Sequence, residues 1–152
     1  RNSRTLVSMI ERSIANKAAV VAEDEREAGV RALLNFGHSF AHALETMTGY
    51  STYLHGEAVA IGMMVASRLS ELRGVCEKGF STRLGNLLQS FDLALNVPAD
   101  LQTDDILEVM KLDKKVIAGS TRLILVKSAG QGIIDDASDK NQIAEAIKAS
   151  QQ

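Results

Sequence analysis

The stretch RALLNFGHSFAHALETMTGYSTYLHGEAVAIGMM, residues 31–64, holds all three histidines of the chain: His38, His42 and His55. On a helix turning about 100° per residue, Arg31, Asn35, His38 and His42 follow the spacing i, i+4, i+7, i+11, so their directions share an arc of roughly 60°. The positions between them are mostly Ala, Leu and Phe. A guanidinium, an amide and two imidazoles on one stripe of an otherwise apolar helix are a candidate site wall. The reading predicts a helix from about Arg31 to Met47, stopped by Gly49. A loop over Tyr50 to Leu54 follows, and then a second helix from Glu57 to Leu72 that is buried on most faces through the run Ala58 to Ala66. His55 sits at the start of that second helix, within reach of a site shared with the first.

Outward from this stretch the periodicity is mainly helical. A helix is expected over Ser3 to Glu23, with Leu6, Ile10, Ile14 and Val21 near one face and Gly29 breaking the pattern. Another covers roughly Lys78 to Phe91, and Pro98 marks a loop. Thr103 is placed to cap a short helix with Asp104 and Asp105 in its first turn, where acids suit the helix dipole. Two β-like runs, Arg122 to Val126 and Gly132 to Asp135, flank Ser128-Ala129-Gly130 and read as a hairpin. A last helix begins near Asp139 with Gln142 completing a capping box. The fold expected is mostly α: a bundle-like, multi-helix single domain over 1–152 with one small β-hairpin.

With 152 residues, 45% of them hydrophobic and 24% charged, the chain is long enough to bury a core. A net charge of −2 gives no electrostatic reason to expect nucleic acid or an anionic membrane. No apolar run approaches the roughly 20 residues that span a bilayer. The lone cysteine, Cys76, excludes an internal disulfide, fits a reducing cytoplasm and reads as a buried small hydrophobe. The chain opens at Arg1 in sequence already helical in pattern, so a partner half upstream is expected.

Histidines at i and i+4 lie at metal-binding distance on one helix face. Ser39, Phe40 and Ala41 stand between them, without the Glu that serves as base in HExxH metalloproteases, so peptide hydrolysis is disfavoured. Two ligand schemes follow. Either all three histidines bind one metal, or two bind it while the third contacts substrate and a carboxylate arrives from elsewhere. Glu45 extends the histidine stripe by about one turn and reads as a helix-surface acid, while Glu57 serves the dipole of its helix. Lys114 and Lys115 form a basic pair near a helix end. No Gly-rich turn between strand and helix cradles a pyrophosphate, and no GxSxG is present.

Together these residues resemble the metal-binding core of the 3-dehydroquinate synthase family, which reads N-F/L-G-H-T-F-G-H-A-I-E, then G-Y, then L-H-G-E-A-V-A. The chain matches at Asn35, Gly37, His38, Phe40, His42, Ala43, Glu45, Gly49, Tyr50 and Leu54 through Ala60, with Ser39 for Thr and Ala41 for Gly. The resemblance extends upstream through K-x-x-V-V-x-x-D-E-x-E-x-G-x-R, from Lys17 to Arg31. Downstream it runs through D-K-K-x-x-x-G and R-L-I-L, where Val126-Lys127 replaces the usual Pro.

The resemblance implies that His38 and His55 are zinc ligands, cobalt being the alternative metal, and that His42 and Asn35 contact the substrate phosphate. Lys17 and Arg31 would hold the carboxylate and neighbouring oxygens, and one of Lys114 and Lys115 would join the anion site. The family's third ligand is a Glu in an A-E-x-I-K segment, which does not occur in this sequence. Family members bind NAD mainly through an N-terminal domain, work as homodimers in the cytoplasm, and convert 3-deoxy-D-arabino-heptulosonate 7-phosphate to 3-dehydroquinate and phosphate in the shikimate pathway of aromatic amino acid biosynthesis. They do so by transient oxidation, phosphate elimination, re-reduction and ring closure. On this basis the isolated chain is expected to fold, to bind zinc weakly and to be inactive. Other sugar-phosphate cyclases and the metal-dependent polyol dehydrogenases share HxxxH followed by HG. The cationic set of Lys17 and Arg31 favours a substrate with a carboxylate.

Overall fold

In the first 23 residues, apolar positions recur at helical spacing and no Gly or Pro interrupts them, so a long helix forms: α1, Ser3–Glu23, with the bounds expected from periodicity. The computed structural model of the chain describes residues 3–27, 29–113 and 122–151. They fall into two compact units, Arg1–Asn35 and Phe36–Gln152. In the first unit, the chain leaves α1 through a turn pinned by Asp24. Its Oδ2 accepts the backbone N–H groups of Gly29 (2.7 Å) and Arg31 (3.0 Å). A short 3-10 helix, Val30–Asn35, closes the unit.

The second unit is built on two helices, α2 (His38–Met47) and α3 (His55–Leu72). The single helix expected over Arg31 to Met47 is therefore two pieces, and the four-residue polar stripe does not exist as one face. The break has a local cause. Gly37 takes a left-handed φ of +83°, which no continuing α-helix allows. A Cβ at Gly37 would lie 2.6 Å from the backbone nitrogen of Met63, and a Cβ at Gly62 would run into the Gly37 carbonyl oxygen. Two glycines thus let the start of α2 touch the backbone of α3 directly.

Around this contact, Phe40 and Leu44 of α2 pack with Ile61, Val65 and Leu69 of α3. Full burial of such side chains contributes about 1.5–3 kcal/mol each. As expected, α3 is buried on most sides, and it begins two residues earlier than the pattern indicated, at His55. Its buried Ser70 donates to the Ala66 carbonyl (2.7 Å) and accepts from Val126 N–H (3.1 Å), so a hydroxyl satisfies sheet backbone inside the core.

Among the described residues, three further helices and a hairpin belong to the unit. Helix α4 (Phe80–Gln89) is held at its start by Glu71, whose carboxylate accepts from the backbone and hydroxyl of Ser81. Helix α5 (Thr103–Asp113) carries Asp104 and Asp105 in its first turn as expected. The Thr103 hydroxyl, however, lies 3.4 Å from Gln151 Oε1 and does not serve as the expected cap. Strands β1 (Leu123–Ser128) and β2 (Gln131–Asp135) pair antiparallel with Leu125 opposite Ile133. Helix α6 (Lys140–Lys148) has the expected capping box: Asp139 accepts from Asn141 and Gln142, and Gln142 accepts from Asp139 N–H.

Arg73, just past α3, clamps the hairpin by donating to Asp135 Oδ1 (3.0 Å) and to Ser138 Oγ (2.7 Å). Cys76 is buried and unpaired, and burial pushes its thiol pKa up, as suits a small hydrophobe. Among the described residues, no helix is long and apolar enough to cross a membrane.

Candidate metal centre

The helix starts bring the three histidines together. His38 is the first residue of α2, His42 lies one turn on, and His55 is the first residue of α3. Their ring centres are 5.3 Å apart for His38 and His55, 5.9 Å for His38 and His42, and 6.2 Å for His42 and His55. Two imidazoles sharing a tetrahedral zinc through nitrogens at about 2.0–2.1 Å place their ring centres about 5 Å apart. The His38–His55 pair fits that spacing, and the two pairs containing His42 are wider. Among the described residues, no group of three or more His, Cys, Asp or Glu side chains is placed to hold a metal ion.

The hydrogen bonds assign the ring nitrogens. His38 Nδ1 faces the Phe36 carbonyl at 3.4 Å, and His55 Nδ1 faces Glu45 Oε1 at 2.9 Å. A carbonyl and a carboxylate only accept, so each Nδ1 carries a hydrogen, and in the neutral ring Nε2 is then the lone-pair nitrogen that a metal ligand requires. The pKa of His38 lies below the ordinary histidine value. Burial is the main cause, and the neighbouring His55 and His42 act in the same direction against the Phe36 carbonyl and Glu45. A neutral ring is the metal-binding form.

Glu45 departs from the sequence expectation. It is buried, 7% exposed, where a surface acid was read. Its position ten residues before His55, on the face that carries the α2 histidines, was the available signal. Gly56, which follows His55, has open space: a Cβ there meets nothing within 4 Å. Glu57 closes the start of α3 by accepting from Leu54 N–H at 2.8 Å.

Three of the candidate anion-binding residues, Lys17, Arg31 and Asn35, lie in the first unit. Lys17 is exposed on α1. The Arg31 guanidinium donates to the Glu25 carbonyl, and the Asn35 amide donates to Glu27 Oε1. Lys114 and Lys115 lie outside the described residues. Asp24 stands in the upstream K-x-x-V-V-x-x-D-E-x-E-x-G-x-R pattern, where sequence gives it no role; in the structure it shapes the Arg31 turn.

Comparison with known proteins matches residues 1–116 to the family model of the 3-dehydroquinate synthase C-terminal domain. The 3-dehydroquinate synthase of Nitrosococcus oceani is 45% identical over 147 residues, covering 97% of this chain and 41% of that protein. The same-named enzyme of Dichelobacter nodosus is 45% identical over 146 residues, covering 96% of this chain and 40% of that one. The chain thus spans about two fifths of the length of these curated relatives.

Solved structures share the fold. A 2-epi-5-epi-valiolone synthase from Streptomyces hygroscopicus with NAD+ and Zn2+ bound superposes with a TM-score of 0.81 at 22% identity, covering 94% of this chain and 39% of that one. A 2-deoxy-scyllo-inosose synthase complexed with carbaglucose-6-phosphate, NAD+ and Co2+ superposes with a TM-score of 0.79 at 22% identity, covering 99% of this chain and 43% of that one.

Proposed function

The chain belongs to the 3-dehydroquinate synthase C-terminal family, and from that premise we propose that it forms the metal- and substrate-holding C-terminal part of a 3-dehydroquinate synthase. The reaction is conversion of 3-deoxy-D-arabino-heptulosonate 7-phosphate to 3-dehydroquinate and phosphate, a lyase chemistry with no net oxidation. The NAD-binding part of the working enzyme lies outside this chain, and the two act as one cytoplasmic, homodimeric enzyme. By itself the chain binds zinc weakly and does not turn over.

The observation that carries this reading is the pair of imidazoles, His38 and His55, with ring centres 5.3 Å apart and both Nδ1 atoms engaged by acceptors. They would hold zinc, or cobalt in its place. When bound, the metal supplies Lewis acidity toward substrate hydroxyls, and NAD supplies a reversible hydride acceptor. The chain's own residues supply anion binding and orientation. His42, beside the pair but more widely spaced, would donate to the phosphate and help it depart, with Asn35 as a second phosphate contact. Lys17 and Arg31 would take the carboxylate and neighbouring oxygens, Arg31 exchanging its bond to the Glu25 carbonyl for one to substrate. One of Lys114 and Lys115 adds a further cation. A neutral polyol needs no such set.

Zinc titration of the full-length enzyme tests the assignment. His38→Ala and His55→Ala are expected to lower zinc affinity at least 100-fold, while His42→Ala keeps zinc and loses turnover. Tight one-to-one zinc binding that His42→Ala abolishes would overturn it.

A further inference from the structure

We propose that Glu45 is a positioning residue for the metal centre. Its buried carboxylate fixes His55 as the Nδ1–H tautomer and leaves Nε2 as the nitrogen that would hold the ion. The inference rests on His55 being a metal ligand.

The two side chains differ sharply in exposure. The Glu45 side chain is 8% exposed and the His55 side chain 57%, with Oε1 and Nδ1 2.9 Å apart. A carboxylate is costly to bury without a charged or hydrogen-bonding partner, so its place on the inner side of α2 calls for a reason. A half-exposed imidazole at a helix start has the opposite problem. Unrestrained, it turns about both side-chain torsions and favours the Nε2–H form, which hides the nitrogen a metal needs. The contact resolves both. Glu45 is anchored by the core helix α2, and it holds a half-exposed ring at the start of α3.

The rings of His38 and His55 are not held alike. His38 has a neutral carbonyl at 3.4 Å as its Nδ1 partner and is itself half-buried. His55 has a full negative charge at 2.9 Å. A charged acceptor makes a stronger hydrogen bond and raises the basicity of the opposite nitrogen, so His55 becomes the better donor to a cation. The helix-to-helix distance that sets this contact depends on the Gly37–Gly62 approach. Orientation of the ligand therefore derives from backbone packing through a single buried acid.

The test uses the metal-free chain at a pH high enough for neutral imidazoles, with long-range ¹⁵N–¹H NMR reporting the tautomer of His55. Wild type should show the Nδ1–H form. Glu45→Leu, which fills the space without an acceptor, should move the ring to the Nε2–H form. Glu45→Gln, which keeps an acceptor oxygen, should retain most of the wild-type signature. Zinc affinity, read by competition with a chromophoric chelator, should fall 10- to 100-fold in Glu45→Leu and less in Glu45→Gln. Gln is near-isosteric, so its folding secures the comparison if the Leu variant unfolds. A wild-type His55 in the Nε2–H form, or a tautomer and affinity unchanged in Glu45→Leu, overturns the proposal. A tautomer that depends on Glu45 in a chain that binds no zinc at all instead overturns the metal reading and leaves the hydrogen-bond assignment standing.

Discussion

Replacing Gly62 by Ala is the sharpest test of how the two histidine-bearing helices are held together. A Cβ at position 62 would collide with the Gly37 carbonyl oxygen and come within 3.0 Å of the Gly37 carbonyl carbon and 3.1 Å of the Ala41 nitrogen. All three are backbone atoms, so no rotamer change relieves the contact. Carbon and oxygen normally stay about 3.3 Å apart, and the start of α2 must back away by about 1 Å. Overpacking of this kind costs about 1–3 kcal/mol, and the rigid partner puts Gly62→Ala at the upper end. Greater helix propensity returns about 1 kcal/mol. The net expectation is a loss of about 2 kcal/mol, which lowers Tm by about 4–8 °C in a chain of this size.

Thermal and urea unfolding followed by circular dichroism measure that loss. Gly56→Ala is the control, because in the first turn of the same helix a Cβ there meets nothing within 4 Å. It should be neutral or stabilising by up to about 1 kcal/mol. The same 1 Å shift moves His38 and His42 away from His55, so zinc affinity should fall in Gly62→Ala and not in Gly56→Ala. A Gly62→Ala chain as stable as wild type, with zinc binding intact, would refute the backbone-contact argument.

Two further outcomes are expected. Arg73→Met leaves the Asp135 carboxylate, 7% exposed, with its Ser138 contacts alone among the described residues; it should destabilise by about 3 kcal/mol in urea melts, the low end for breaking a buried pair. For pH, the folded pKa of His38 lies below its unfolded value of about 6.5, so between the two the unfolded chain binds more protons. The metal-free chain should therefore hold its full stability above pH about 6.5 and lose part of it as pH falls through the folded value. His38→Gln should flatten that slope in unfolding scans across pH 5–8.

Much of this was legible in the sequence because local signals agreed with the tertiary outcome. α1, the buried α3, the hairpin and the Asp139–Gln142 capping box each carry their own periodicity or end signal. The break at Gly37 was not legible, since Arg31, Asn35, His38 and His42 fall on one stripe at ideal helical spacing. What overrides the spacing is a contact with Gly62, 25 positions along the chain, which no local window contains. Glu45 failed for the same reason. An acid after His42 reads as a surface residue until α3 places His55 against it. Thr103 had the chemistry of a cap, and its hydroxyl instead faces Gln151 at the far end of the chain.

The decisive measurement is a phosphate-release assay on the full-length enzyme with zinc, catalytic NAD and 3-deoxy-D-arabino-heptulosonate 7-phosphate, while absorbance at the NADH band is monitored. Phosphate released over many turnovers with no accumulated NADH is the predicted result. NADH formed stoichiometrically from a neutral polyol, with no phosphate released from the heptulosonate, would contradict it.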